Sequence, residues 1–304
     1  MANKINKGLF LTINNFKSDR IITKLLMIPA MAVILVLIIY PLIFSLTRSF
    51  TNFNLGIPNI SFIGFDNYVQ AIKDPHFINS LTVTLKFSFG TTLIGLILGF
   101  LSAFLLKRKF FGKRIITLLL IVPMMTTPVV VGIIWMLMFQ PGFGVVNGLL
   151  SLIGLDGPKW FLESNAALIA VTIADIWQWT PFYTLIILAG LLSVPQGIIE
   201  AAKVDGASNW QMFWRIIIPM IKNLVIIAVL IRLIDSFKVF DSIFIMTNGG
   251  PGRATEVLSM FIYRTGLPYL NMGYSLAMSY LFLIILSIIG FILLRYLTKS
   301  KSAT

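Results

Sequence analysis

Apolar residues fall in six long runs, about 25–46, 81–106, 115–139, 166–192, 224–245 and 274–294, and polar residues are largely confined to the segments between them. Each run has the roughly 20 residues that a helix needs to cross a bilayer. The pattern predicts an all-α integral membrane protein with six transmembrane helices. The first run exceeds the 7–15-residue core of a cleavable signal peptide, and no small-residue cleavage site follows it, so it is expected to stay.

The connections carry their own signals. Segment 51–80 opens with TNFNLGIPN and continues as GFDNYVQAIKDPHF, where a short helix over 67–73, closed by Asp74-Pro75, is expected. Segment 140–165 contains PGFG and DGP and is expected to be mostly irregular. Segment 247–271 opens with TNGGPG, which cannot continue a helix. Pro29, Pro41, Pro123, Pro128 and Pro181 lie in or near the runs, where each removes a helical hydrogen bond and invites a kink. They fit either ordinary membrane-helix proline or a bundle built around a central cavity.

Composition agrees with a membrane chain. Of 304 residues, 58% are hydrophobic and 12% charged, against about 25% charged in soluble domains. Cysteine is absent, which excludes disulfides and thiolate metal sites. The single histidine, His76, has no ligand cluster around it and is expected in a loop. The net charge of +13 is an orientation signal. Sixteen of the 24 Lys and Arg lie in the N-terminal tail (Lys4, Lys7, Lys17, Arg20, Lys24), the second and fourth connections and the C-terminal tail; only five lie in the first, third and fifth connections. Basic residues in short loops stay cytoplasmic, so both termini and the fourth connection are expected inside.

That fourth connection is EAAKVDGASNWQMFWRIIIP, 200–219. Pro195 suits a first helical turn, with Ser193 or Val194 as cap, and the helix can run to about Val204. Asp205-Gly206 can end it. Ser208 with Gln211 forms a capping-box pattern for a second helix, on which Trp210, Phe213, Trp214 and Ile217 share a face. Pro219 is expected to break or bend that helix before the fifth span. An amphipathic interfacial loop would account for all of this.

The order of residues is more specific. Glu200, Ala201, Ala202, Gly206, Ile216 and Pro219 resemble the EAA-loop signature of permease subunits of binding-protein-dependent ABC importers; Ile218 stands where that family often has Leu. FIGFDNYVQAIKDPHFINSLTVT, 62–84, and DSFKVFDSIFIMTNGGPGRAT, 235–255, resemble sugar permeases of the group, of the maltose-type F and glycerol-3-phosphate-type A kind. The resemblance implies an ABC type I importer permease fold: a tail over 1–24, a transmembrane domain over 25–304, and a coupling loop over 195–222, including Asp205, that docks on an ATPase. It also implies a second permease subunit, two ATP-binding subunits and an extracytoplasmic substrate-binding protein in a bacterial or archaeal plasma membrane. The chain has no G-x-x-x-x-G-K-[ST] phosphate loop. ATP and Mg are therefore expected in the partners, with no cofactor, metal or catalytic residue in this chain.

Intramembrane polar residues are the remaining candidates. Arg232, Asp235, Lys238 and Asp241 alternate in sign at spacing three and can pair along one helix, as a neutralised ladder or as the lining of a cavity or gate. Asp175 has no evident partner. IADIWQWTPFYT, 173–184, concentrates Trp177, Gln178, Trp179 and Tyr183, which fit either packing or the stacking and hydrogen bonding of a sugar. Trp177, Gln178, Trp179, Tyr183, Asp235, Lys238 and Asp241 are thus candidate substrate contacts. Arg232 and Lys238 already have carboxylates nearby, which favours a neutral sugar over glycerol-3-phosphate; a polyol remains open. A stand-alone secondary transporter would leave the EAA signature unexplained, and an enzyme would need a nucleophile, metal or acid–base cluster.

Overall fold

The computed structural model describes residues 27–29 and 31–301, with the backbone alone at 293 and 296–301. The expected tail over 1–24, with its five basic residues, lies outside the described residues. Every element described is helical apart from two isolated bridges, Thr51 with Phe62 and Asn54 with Ile57.

Five helices are long and apolar enough to span a bilayer: α1 (Met27–Ser49), α3 (Pro75–Lys107), α7 (Ser164–Ser193), α9 (Asn209–Phe237) and α12. The last runs over Met272–Lys301. The expected third span is two helices, α4 (Lys113–Met125) and α5 (Pro128–Met138), bent by 104°. Counted as one, they bring the number to six. Short helices fill the connections: α2 (Asp66–Lys73), α6 (Val145–Leu152), α8 (Gln196–Val204), α10 (Asp241–Thr247) and α11 (Leu258–Gly266). The segment 140–165 is mostly irregular, as expected, but contains one short helix, α6. Its run VVNGLLSL is apolar enough to pack on the bundle, and the turn signals flank it. His76 is likewise in the first turn of α3 rather than in a loop, behind Pro75, with Asp74 accepting its backbone N–H at 2.8 Å.

The prolines act in three ways. At Thr126-Thr127-Pro128 the residue before proline is pushed out of the α region; Thr126 and Thr127 are both extended, with ψ 141° and 145°, and the span breaks. Pro123 and Pro181 sit inside helices that continue. Pro41 and Pro219 each follow a π-helical turn by two residues, Leu35–Ile39 and Phe213–Ile217. Proline lacks the N–H and crowds the carbonyl four residues back, and the wider turn gives that carbonyl room. Pro219 therefore does not interrupt α9, contrary to expectation.

α3 and α7 form the centre. Gly95 and Gly99 of α3 lie under Tyr183 of α7; a Cβ on Gly95 would be 2.9 Å from Tyr183 Cε2. Three apolar clusters surround this crossing. One joins Ala103, Tyr183, Ile187, Leu191 and Ile221 near the α8 end. One joins Phe87, Val131, Phe139, Ala170 and Ile243 around α5 and α10. The third packs Phe77, Leu233, Phe237, Leu258 and Met278 against α12. No residue of the most apolar stretch of α1 is buried.

Candidate functional site

Two regions carry the candidate residues. The first is the loop at one end of the bundle. α8 begins one residue later than expected, with Pro195 as its cap. It ends in a Schellman motif: the Ala207 N–H donates to Ala202 O at 2.9 Å and the Gly206 N–H to Lys203 O at 3.1 Å. Gly206 has φ +77°, and a Cβ there would meet nothing within 4 Å. The need for glycine is in the backbone alone. α9 then opens with the expected capping box. Ser208 Oγ accepts from the Gln211 N–H at 3.2 Å, and Gln211 Oε1 accepts from the Ser208 N–H at 2.9 Å. Ala202 is buried against the bundle, while Glu200, Ala201 and Lys203 are exposed and Val204 is 88% exposed. Asp205 caps α8, Ile216 is half-buried in the π turn, and Pro219 is exposed. Trp210, Phe213 and Trp214 contact one another through their rings, as their spacing predicted.

The second region lies where two helices are broken. α9 ends at Phe237, Lys238 is its C-cap, and α10 starts at Asp241. The expected ladder along one helix is therefore formed only at its first rung, Arg232 with Asp235. Arg232 also turns to α7, where it makes a buried ion pair with Asp175, and its Nη1 reaches Asp235 at 3.2 Å. Its guanidinium lies 4.9 Å from the Trp179 ring centroid. Lys238 and Asp241 are exposed, and their side chains make no ion pair or hydrogen bond among the described residues.

Helix breaks expose backbone carbonyls, which at membrane depth must be satisfied by protein or by a wet cavity. Both happen here. Gln178 Nε2 of α7 donates to Thr126 O at the α4–α5 break, at 2.9 Å. Ser259 Oγ of α11 donates to Val239 O at the α9–α10 break, at 2.5 Å. Between the breaks is a cavity of about 160 Å³ whose rim includes Pro128, Asp175, Arg232, Asp235, Lys238 and Asp241. A neighbouring cavity of about 380 Å³ shares Trp179, Arg232, Asp235 and Lys238. Of the prolines, Pro128 borders this polar cavity, while Pro123 and Pro181 line a largely apolar one.

Five of the seven sequence-picked candidates meet there: Gln178, Trp179, Asp235, Lys238 and Asp241. Two do not. Trp177 points to the other side of α7, in ring contact with Trp135 at 5.8 Å. Tyr183 is 1% exposed and packs on the α3 glycines. Trp177 and Trp179, two positions apart, point to roughly opposite sides of a helix with 3.6 residues per turn, so they do not share one cavity.

Sequence reasoning missed a third polar cluster. Glu256 is fully buried beside α11 and pairs with Arg264 at 2.7 Å and Arg253 at 3.5 Å. Arg264 also donates to the Asn248 carbonyl and side chain, and the Thr247 and Thr255 hydroxyls bond at 2.7 Å. This network holds the TNGGPG turn against the bundle. A lone Glu between Thr255 and the apolar VLSMF was the available signal.

Comparison with known proteins places these features in a family. Residues 95–302 match the family model described as "Binding-protein-dependent transport system inner membrane component". The trehalose/maltose transport system permease protein MalF of Thermococcus litoralis is 34% identical over 82% of this chain and 83% of its own. The sulfoquinovosyl glycerol transport system permease protein SmoG of Agrobacterium fabrum is 34% identical over 86% and 85%. A crystal structure of a bacterial alginate ABC transporter, in complex with an alginate pentasaccharide-bound periplasmic protein, contains a chain that superposes with a TM-score of 0.78 at 25% identity, covering 92% of this chain and 94% of that one.

Proposed function

The chain belongs to the binding-protein-dependent transport system inner membrane components, and on that premise we propose that it is the permease subunit of an ATP-driven sugar importer working by alternating access. Family membership makes it a multi-pass transport component and not an enzyme. The observation that carries the mechanism is the continuity of α9. One helix of 29 residues, Asn209–Phe237, about 43 Å at 1.5 Å per residue, joins the α8 loop at one end to Arg232, Asp235 and Lys238 at the cavity. A displacement of the loop is a displacement of the cavity wall.

In this reading the exposed face of α8, with Glu200, Ala201 and Val204, docks on a cytoplasmic ATPase. Gly206 and the capping box fix its angle to α9. Two ATPases holding ATP and Mg, a second permease subunit and an extracytoplasmic binding protein complete the assembly in a bacterial or archaeal plasma membrane, with both termini inside. The relatives' names supply the cargo class: trehalose/maltose, sulfoquinovosyl glycerol and alginate are all saccharides or their conjugates. The cavity groups favour a neutral member. Asp175, Asp235 and Asp241 outnumber Arg232 and Lys238, which disfavours a phosphate such as glycerol-3-phosphate.

Purification of the tagged chain from native membranes tests this. A second permease and an ATPase should accompany it, and the cognate binding protein should bind a sugar in a calorimetric screen. A chain that purifies alone with intact transport overturns the importer reading; a binding protein that takes only phosphates or amino acids overturns the cargo.

A further inference from the structure

A large cavity lies away from the charged site. It is a groove of about 990 Å³ between the second half of α3 and the first turns of α9. Phe100 and Phe104 form one wall, and Trp210, Trp214 and Ile217 the other, with Phe213 between them, 6.2 and 5.5 Å from the two α3 rings. Trp210 is 70% and Trp214 50% exposed. The π turn Phe213–Ile217 runs along it.

Four cations border this apolar surface: Lys107 and Arg108 at the end of α3, Lys203 at the end of α8, and Lys222 on α9. None of their side chains makes an ion pair or hydrogen bond among the described residues, and no Asp or Glu lines the groove. The α3 wall extends from Leu96 to Lys107, about 16 Å at 1.5 Å per residue. One leaflet of a hydrocarbon core about 30 Å thick is about 15 Å deep. The groove therefore has the depth of one acyl chain, an aromatic belt near its mouth and an unneutralised basic rim.

We propose that this groove is a binding site for one phospholipid with an anionic headgroup, drawn from the leaflet that borders the α8 loop. The acyl chains lie along Leu96, Phe100 and Phe104, and the phosphate sits among Lys107, Arg108, Lys203 and Lys222. Because the groove is bounded by α8 and by the π turn of α9, the lipid braces the joint that any force on the loop must cross.

The test is native mass spectrometry of the intact transporter, released from phosphatidylcholine vesicles containing phosphatidylglycerol. The expected result is one retained phosphatidylglycerol in preference to phosphatidylcholine. Each charge removed by Lys107→Gln, Arg108→Gln or Lys222→Gln should lower that preference about fivefold. Lys113→Gln with Arg114→Gln, outside the groove, should leave it unchanged. Should the triple variant not assemble, the three single variants give the same answer. Equal retention of both lipids, or a preference insensitive to the groove charges, overturns the proposal. So does a photocrosslinker at position 100 that captures a protein subunit instead of lipid, since the groove is then a subunit interface.

Discussion

The α8 loop and the charged cavity sit at the two ends of α9 and are held by different kinds of interaction. In the loop every defining contact joins residues within about five positions: the Schellman bonds of Ala202, Lys203, Gly206 and Ala207, and the Ser208–Gln211 box. In the cavity the defining contacts cross the bundle: Arg232 to Asp175, Gln178 to Thr126, Ser259 to Val239. The loop is a locally determined shape whose outer face is exposed. The cavity is a set of interhelical ties around two broken spans. The shape of the first depends on local backbone bonds; the second depends on pairs between helices.

Breaking a pair should have the largest effect. Asp175→Ala leaves the buried Arg232 with only the half-exposed Asp235 as a carboxylate partner; removing one partner of a buried pair costs about 3–5 kcal/mol, and Asp235 places the loss toward the lower end. Unfolding in detergent should show this loss, and the double variant Asp175→Leu, Arg232→Leu should recover most of it. If the single change is silent, the pair does not hold α7 to α9.

Gly206→Val comes next. The left-handed conformation costs an L-residue about 1–2 kcal/mol, and the open space around Gly206 means that backbone strain is the whole effect. Substrate-stimulated ATP turnover of the assembled transporter should fall while membrane insertion stays normal, and Gly206→Asn should retain more activity, because Asn accepts positive φ. Full turnover by the Val variant would remove Gly206 from the coupling mechanism.

Ser208→Ala deletes half of the capping box, worth about 1 kcal/mol. Hydrogen exchange should quicken in the first turn of α9 and leave the cavity region unaltered.

The smallest effect on stability belongs to Lys238→Gln. With no pairing among the described residues, it should change unfolding by less than about 0.5 kcal/mol yet alter the transport rate. Unchanged transport would place the substrate route away from this cavity.

How much was legible follows the same division. The α8 helix, its glycine stop, the capping box and the aromatic face were all readable, because propensity, capping and 3.6-residue periodicity act over a few neighbours. The pairing of Asp175 was not, since its partner lies 57 residues away on another helix. Of the ladder from Arg232 to Asp241 only the Arg232–Asp235 pair forms, because charge spacing says nothing about where a helix ends. Trp177 and Tyr183 were grouped with Trp179 by proximity in sequence, and the helix sends them to different surfaces. Pro219, expected to break or bend the helix, does not break it; the π turn before it, a change in winding with no residue signature of its own, lets α9 pass through.

The sequence alone determined that this is a helical membrane protein, where most of its spans fall, and the signature that marks its family; the fifth span, expected over 224–245, instead begins at Asn209 and stops at Phe237. These depend on the length of apolar runs and on local order, and a bilayer enforces them by demanding that each segment satisfy its own backbone. The tertiary structure decided which polar residues share a space, which of the prolines sits at a broken span, and that one continuous helix ties the loop to the cavity. Those outcomes depend on which side chain from a distant helix arrives to satisfy a buried charge or a freed carbonyl.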